Sequence, residues 1–123
     1  MDAEVLSVST DTVYVQKAWH DRSPAVGKVR FSMVADPTGR LCRIFGTYLE
    51  EGLSLMTTFI VDPDGILRAF EMHDNSIGRS ARGILRKLKA AEHVKEHRGE
   101  VCPASWEPGK ETIRPSLHLI GEI

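Results

Sequence analysis

Thr57-Thr58-Phe59-Ile60-Val61 runs into Asp62-Pro63-Asp64-Gly65, and Ile66–His73 follows at once. The first run is β-branched and aromatic, the composition that suits a pleated, half-buried strand. Pro63 fixes its own φ and Gly65 accepts a left-handed one, so the four residues after Val61 read as a tight turn. Beyond it Ile66, Arg68, Phe70 and Met72 alternate with Leu67, Ala69 and Glu71. A period of two is that of a strand, and residues 57–73 therefore read as an antiparallel hairpin.

Upstream, Val5-Leu6-Ser7-Val8 predicts a strand, and Ser9-Thr10-Asp11-Thr12 offers caps to a helix carrying Val13, Val15, Ala18 and Trp19. Ser23-Pro24 ends that helix. Lys28–Ala35 predicts a second strand, closed by the turn signal Asp36-Pro37-Thr38-Gly39. Leu41, Ile44 and Phe45 are spaced for a short helix that stops at Gly46. Downstream of the hairpin, Ile84, Leu85, Leu88, Ala91 and Val94 form an apolar stripe on a helix from Gly78 to about His97. Arg98–Ile123 has three prolines and scattered apolar residues, and reads as an extended arm.

The order is β-α-β, a short α, then β-β-α and a tail. A β-α-β start demands a right-handed crossover between parallel strands, while the hairpin is antiparallel, so a mixed sheet with flanking helices is expected. That is an α/β arrangement of the thioredoxin-like class. A first strand opening at Val5 leaves an unpaired edge unless something lies beside it. The expected organisation is a partial thioredoxin-like domain over residues 1–97, without its N-terminal strands and active-site helix, and an arm over residues 98–123.

At 123 residues the chain has the length of one domain. Its formal charge of −1 argues against a general nucleic-acid binder. The basic cluster Arg79–Lys89 reads as a solvated helix face. No apolar run approaches a membrane-spanning length, and the start Met1-Asp2-Ala3-Glu4 does not read as a signal peptide, so a cytoplasmic location is expected. Two cysteines, Cys42 and Cys102, make no disulfide framework. From local sequence each is open to a redox task or to inert burial. His93 and His97 lie one helical turn apart, but a Cys-His metal site normally has tighter, repeated spacing. They read as a charged helix end, and neither metal nor cofactor is expected.

Four stretches in register resemble the alkyl hydroperoxide reductase type of the typical two-cysteine peroxiredoxins. They are Val8-Ser9-Thr10-Asp11 with Lys17-Ala18-Trp19-His20; Asp36-Pro37-Thr38-Gly39; Thr58-Phe59-Ile60-Val61-Asp62 with Gly65; and Gly99-Glu100-Val101-Cys102-Pro103-Ala104 with Trp106 and Pro108. The resemblance implies a thioredoxin-like fold and a thiol peroxidase reducing hydrogen peroxide and organic hydroperoxides. One family cysteine attacks the peroxide and becomes a sulfenic acid; a second, resolving cysteine on the C-terminal arm condenses with it. The resemblance puts Cys102 in the resolving role. The family's attacking cysteine lies in a Pro-x-x-x-Thr/Ser-x-x-Cys-Pro segment, and Gly39 and Gly99 stand where Cys42 and Cys102 would need the hydroxyl residue. Cys42 is expected to be a half-buried bystander.

Met56 occupies the place of the family's principal active-site arginine, and Arg79 matches a second active-site arginine. A thioether offers neither charge nor donor to a peroxide oxygen. The resemblance also implies self-association. A dimer would form through the edge of Ile66, Leu67, Arg68, Ala69, Phe70, Glu71, Met72 and His73, and rings through Thr12, Tyr14 and Trp19. Residues 1–123 are thus expected to be the resolving part of a peroxidase, inactive alone. Their expected partners are a separate N-terminal peroxiredoxin half or an intact homologue, with a thioredoxin or flavoprotein disulfide reductase regenerating the thiols. The alternative is a non-catalytic module that co-oligomerises with an intact peroxiredoxin.

Overall fold

The computed structural model describes residues 2–122, in two compact units, Met1–Thr57 and Thr58–Ile123. In the first unit, β1 (Leu6–Ser9) pairs in parallel with β2 (Ser32–Ala35), with Leu6 opposite Ser32 and Ser9 opposite Ala35. Helix α1 (Val13–Arg22) makes the crossover. Thr12 caps its start, its Oγ1 accepting from the Val15 amide at 3.4 Å. The side chain that docks α1 is polar. Gln16 is buried, and its Nε2 donates to Ser9 Oγ and to the Val34 carbonyl, both at 2.9 Å. Val13, Val15, Ala18 and Trp19, the apolar residues expected on this helix, are all exposed.

The strand expected from Lys28 starts at Ser32, because Val26–Lys28 forms a 3₁₀ turn first. The short helix α2 is Arg40–Ile44. Gly39 precedes it with φ 67°, and a Cβ there would lie 2.3 Å from the Tyr48 ring. Only glycine meets both conditions without strain.

In the second unit, β3 (Met56–Val61, its first residues in the preceding unit) and β4 (Leu67–His73) form the hairpin. Asp62 organises the turn. Its Oδ1 accepts from the amides of Asp64 and Ile66 at 2.9 Å, and its Oδ2 from Arg68 at 2.7 Å. These donors, the Ile66 amide foremost, hold its carboxyl below the usual range. Phe59 and Phe70 stack with ring centroids 6.1 Å apart. Helix α3 is Ala81–Glu96, capped by Ser80, whose Oγ accepts from the Gly83 amide at 3.1 Å. It is joined to β4 by an ion pair between Lys87 and Glu71.

Ladder bonds link the strands as two pairs, β1–β2 and β3–β4, where one mixed sheet was expected. Each strand therefore has one ladder neighbour among the described residues.

Candidate functional site

Residues 98–122 were expected to run as an extended arm. They fold back on themselves instead. Val101 and Ile113 exchange backbone hydrogen bonds at 2.8 and 2.9 Å, closing a loop that contains Cys102. Pro103, Pro108 and Pro115 still keep the segment out of any longer ladder, since each lacks an amide donor. Within the loop Ser105 takes φ 60°, the one non-glycine residue with positive φ among those described. That turn directs the Trp106 indole inward. Trp106 is 3% exposed, its Nε1 donates to the Lys110 carbonyl at 3.0 Å, and its ring lies 4.9 Å from that of His93.

Glu100 sits at the mouth of the loop. Its carboxylate accepts from Thr112 Oγ1 at 2.7 Å, from His93 Nε2 at 3.0 Å and from Arg114 Nη2 at 3.1 Å. These three donors, Thr112 first, lower its pKa to about 2. The charged end of α3 expected at His93 and His97 is thus part of the loop's seat. The two imidazoles stack at 4.1 Å, and His97 Nδ1 donates to the His93 carbonyl at 3.0 Å. A charge-pattern reading treats such residues as solvated; here a distant carboxylate and an indole claim His93.

Cys102 itself is half-buried. Burial, reinforced by the Glu100 carboxylate and opposed by the Arg86 guanidinium, pushes its thiol above the ordinary value. The shift disfavours the thiolate, which is the nucleophilic form, while the loop stays closed. Cys42 departs from its expected half-burial: it is 4% exposed, on α2. Its amide donates to Asp36 Oδ2 at 2.9 Å, and its carbonyl accepts from the Thr47 amide at 2.8 Å. Burial alone would raise the Asp36 carboxyl, but the amides of Cys42, Leu41 and Arg40 overcome it and hold the pKa low.

Arg79 lies just before α3, and its Nη1 donates to Thr58 Oγ1 on β3 at 3.1 Å. Met56 opens β3 and is partly exposed, at 37%. On the edge strand, Ile66, Leu67, Arg68, Phe70 and Met72 are exposed, whereas Ala69 and Glu71 turn inward. Tyr14 and Trp19 are exposed on α1 at 83% and 56%, with Thr12 exposed at its cap. Among the described residues no cluster of three or more His, Cys, Asp or Glu is placed to hold a metal ion. None of the described helices is long and apolar enough to cross a membrane.

The Glu100–Thr112–Arg114 cluster went unseen in the sequence. Its only local sign is a carboxylate two residues before a cysteine.

Residues 1–70 match the AhpC/TSA family model, and residues 90–122 match the C-terminal domain of 1-Cys peroxiredoxin. The chain is 50% identical to alkyl hydroperoxide reductase C of Amphibacillus xylanus over its whole length, and 49% identical to that of Salmonella typhimurium. It spans 66% of each of those relatives, just under two thirds of their length. A reduced 2-Cys peroxiredoxin of Plasmodium vivax is similar in structure, with a TM-score of 0.85 and 31% identity over 92% of this chain and 60% of the other. AhpC of Enterococcus faecalis is similar with a TM-score of 0.77 and 46% identity, over 81% of this chain and 60% of the other.

Proposed function

Since the chain belongs to the AhpC/TSA family of peroxiredoxins and has their thioredoxin-like fold, we propose that it serves a thiol peroxidase as the resolving part. The observation that carries this reading is the setting of Cys102, a half-buried free thiol in a loop closed by an isolated backbone bridge.

An attacking thiolate on another segment displaces alcohol or water from a hydroperoxide and becomes a sulfenic acid. The Cys102 sulfur then attacks that sulfenic sulfur. The S–S bond forms, the S–O bond breaks, and water leaves with the Cys102 proton. A dithiol, from a thioredoxin or a flavoprotein disulfide reductase, restores both thiols by exchange. Arg79, set against Thr58, supplies a cation to the attacking site. Met56 supplies none, so an arginine from elsewhere is needed for peroxide binding. Residues 1–123 do not turn over peroxide by themselves.

The partner is a separate N-terminal peroxiredoxin half or an intact homologue, in the cytoplasm. Self-association runs through the edge of β4, Ile66–His73, and ring contacts through Thr12, Tyr14 and Trp19. The exposure of Phe70 at 60% and of Tyr14 at 83% supports such contacts, because large apolar residues grouped on a surface mark association sites.

Peroxide loss with a dithiol-reductant system tests the reading, against a Cys102→Ser control. The chain alone is expected to match the control. Addition of a protein with an attacking cysteine and no resolving one should start turnover that the control does not support. Rapid loss by the chain alone, abolished in Cys102→Ser, would make Cys102 the attacking thiol and sink the assignment.

A further inference from the structure

The loop around Cys102 is closed by an isolated bridge, by the Glu100 carboxylate and by contacts from Arg86 and Arg82 on α3. Two backbone bonds without ladder neighbours are marginal in water, so the Val101–Ile113 bridge does not hold by itself. Glu100 adds what the bridge lacks. Thr112 and Arg114 come from the returning side of the loop and His93 from the last turns of α3, so one side chain ties both flanks of the loop to the helix. Its side chain is only 14% exposed, and charge-assisted bonds there are stronger than neutral ones. Arg86, also on α3, donates from Nη1 to the Trp106 carbonyl at 3.3 Å, and His97 stacks beneath His93. The exposed Arg82–Glu107 ion pair at 3.3 Å adds a further tie between the loop and α3.

We propose that Glu100 is a positioning residue, the clasp that keeps the Cys102 loop shut and sets how often its thiol becomes available. The inference rests on Cys102 being the resolving thiol, and its test needs no peroxide. Thr112, His93 and Arg114 hold the clasp. Trp106 fills the space beneath it. Opening requires Glu100 to exchange three protein donors for water, and the Val101–Ile113 bridge then parts.

Alkylation of Cys102 by iodoacetamide in the full chain, resolved from Cys42 by peptide mass, reads the closure. The rate is followed across pH to its alkaline plateau, where all the thiol is ionised. The plateau then reports access, while the midpoint reports electrostatics. An unstructured peptide of residues 99–106 is the reference. The wild-type plateau should lie about tenfold or more below the peptide's, as for a site that reacts through local opening. Glu100→Gln should bring it within about threefold of the peptide, and Thr112→Val should fall between. Cys42 labelling should not change. A Glu100→Gln plateau equal to wild type, with only the midpoint displaced, would overturn the clasp. If Glu100→Gln does not fold by circular dichroism, Thr112→Val decides, and a wild-type plateau there overturns the proposal equally. Failure of Cys102 to capture a sulfenic acid would sink its resolving role and leave the plateau result standing.

Discussion

In the first unit Cys42 lies within a five-residue helix, its amide anchored by a buried aspartate and its carbonyl by Thr47. In the second unit Cys102 lies in a loop closed by side chains gathered on Glu100. The same thiol is thus kept from solvent in two ways. Cys42 is held by backbone bonds and core packing that are lost only with the unit around it. Cys102 is held by bonds that can be released while α3 and the hairpin stay intact. What differs is the size of the region that must open, and on the proposal above this sets the two cysteines apart.

The sharpest break is chemical. A protein bearing a stable sulfenic acid should form a mixed disulfide with the chain, Cys102→Ser should abolish it, and Cys42→Ser should leave it unchanged on a non-reducing gel. A disulfide to Cys42 would erase the distinction. Trp106→Ala comes next: removal of a buried indole should lower the stability of the second unit by about 3–5 kcal/mol in denaturant unfolding. It should also expose Cys102 to alkylation, with Cys42 unaffected.

Gly39→Ala addresses the other unit. Its left-handed backbone costs about 1–2 kcal/mol with a Cβ, and the Tyr48 ring adds a clash. Here the unfolding midpoint of the first unit should fall and Cys42 should label faster, with Cys102 unmoved.

Acid tests the clasp by protonation. Because the folded pKa of Glu100 is depressed, its contribution is complete above the ordinary value of 4.5 and is lost as pH falls through about 2. Protection of the Val101 and Ile113 amides from hydrogen exchange should decline in that window, and Glu100→Gln should remove the dependence. The smallest effect is expected of Arg82→Ala. Its ion pair with Glu107 at 3.3 Å is exposed, so stability should change by no more than about 0.5 kcal/mol and both cysteines should keep their rates.

The hairpin was readable because Asp62, Pro63, Asp64 and Gly65 specify their turn within four positions. The last helix was readable from its apolar stripe, but it starts at Ala81 rather than Gly78, where Ser80 caps it. The parallel pairing of β1 with β2 followed from the crossover between them. The start of β2 did not, since Val26–Lys28 contains residues that serve a strand or a 3₁₀ turn equally well. Gln16 was passed over because hydrophobic periodicity ignores a polar residue that satisfies its amide inside. The block around Cys102 singled it out for the resolving role proposed above, whereas the contacts on Glu100 were not legible, because Thr112 and Arg114 lie 12 and 14 residues away and no local rule joins them.

The burial of Trp106 has an optical consequence. The sequence has two tryptophans, and they occupy opposite environments: Trp19 is 56% exposed on α1, whereas Trp106 is 3% exposed beneath the loop. Trp19 lies at the proposed ring contact, so its emission would follow assembly; in a Trp19→Phe chain any red shift that accompanies opening comes from Trp106 alone. Stopped-flow fluorescence on that unlabelled chain, mixed with a protein bearing a sulfenic acid, would time the opening.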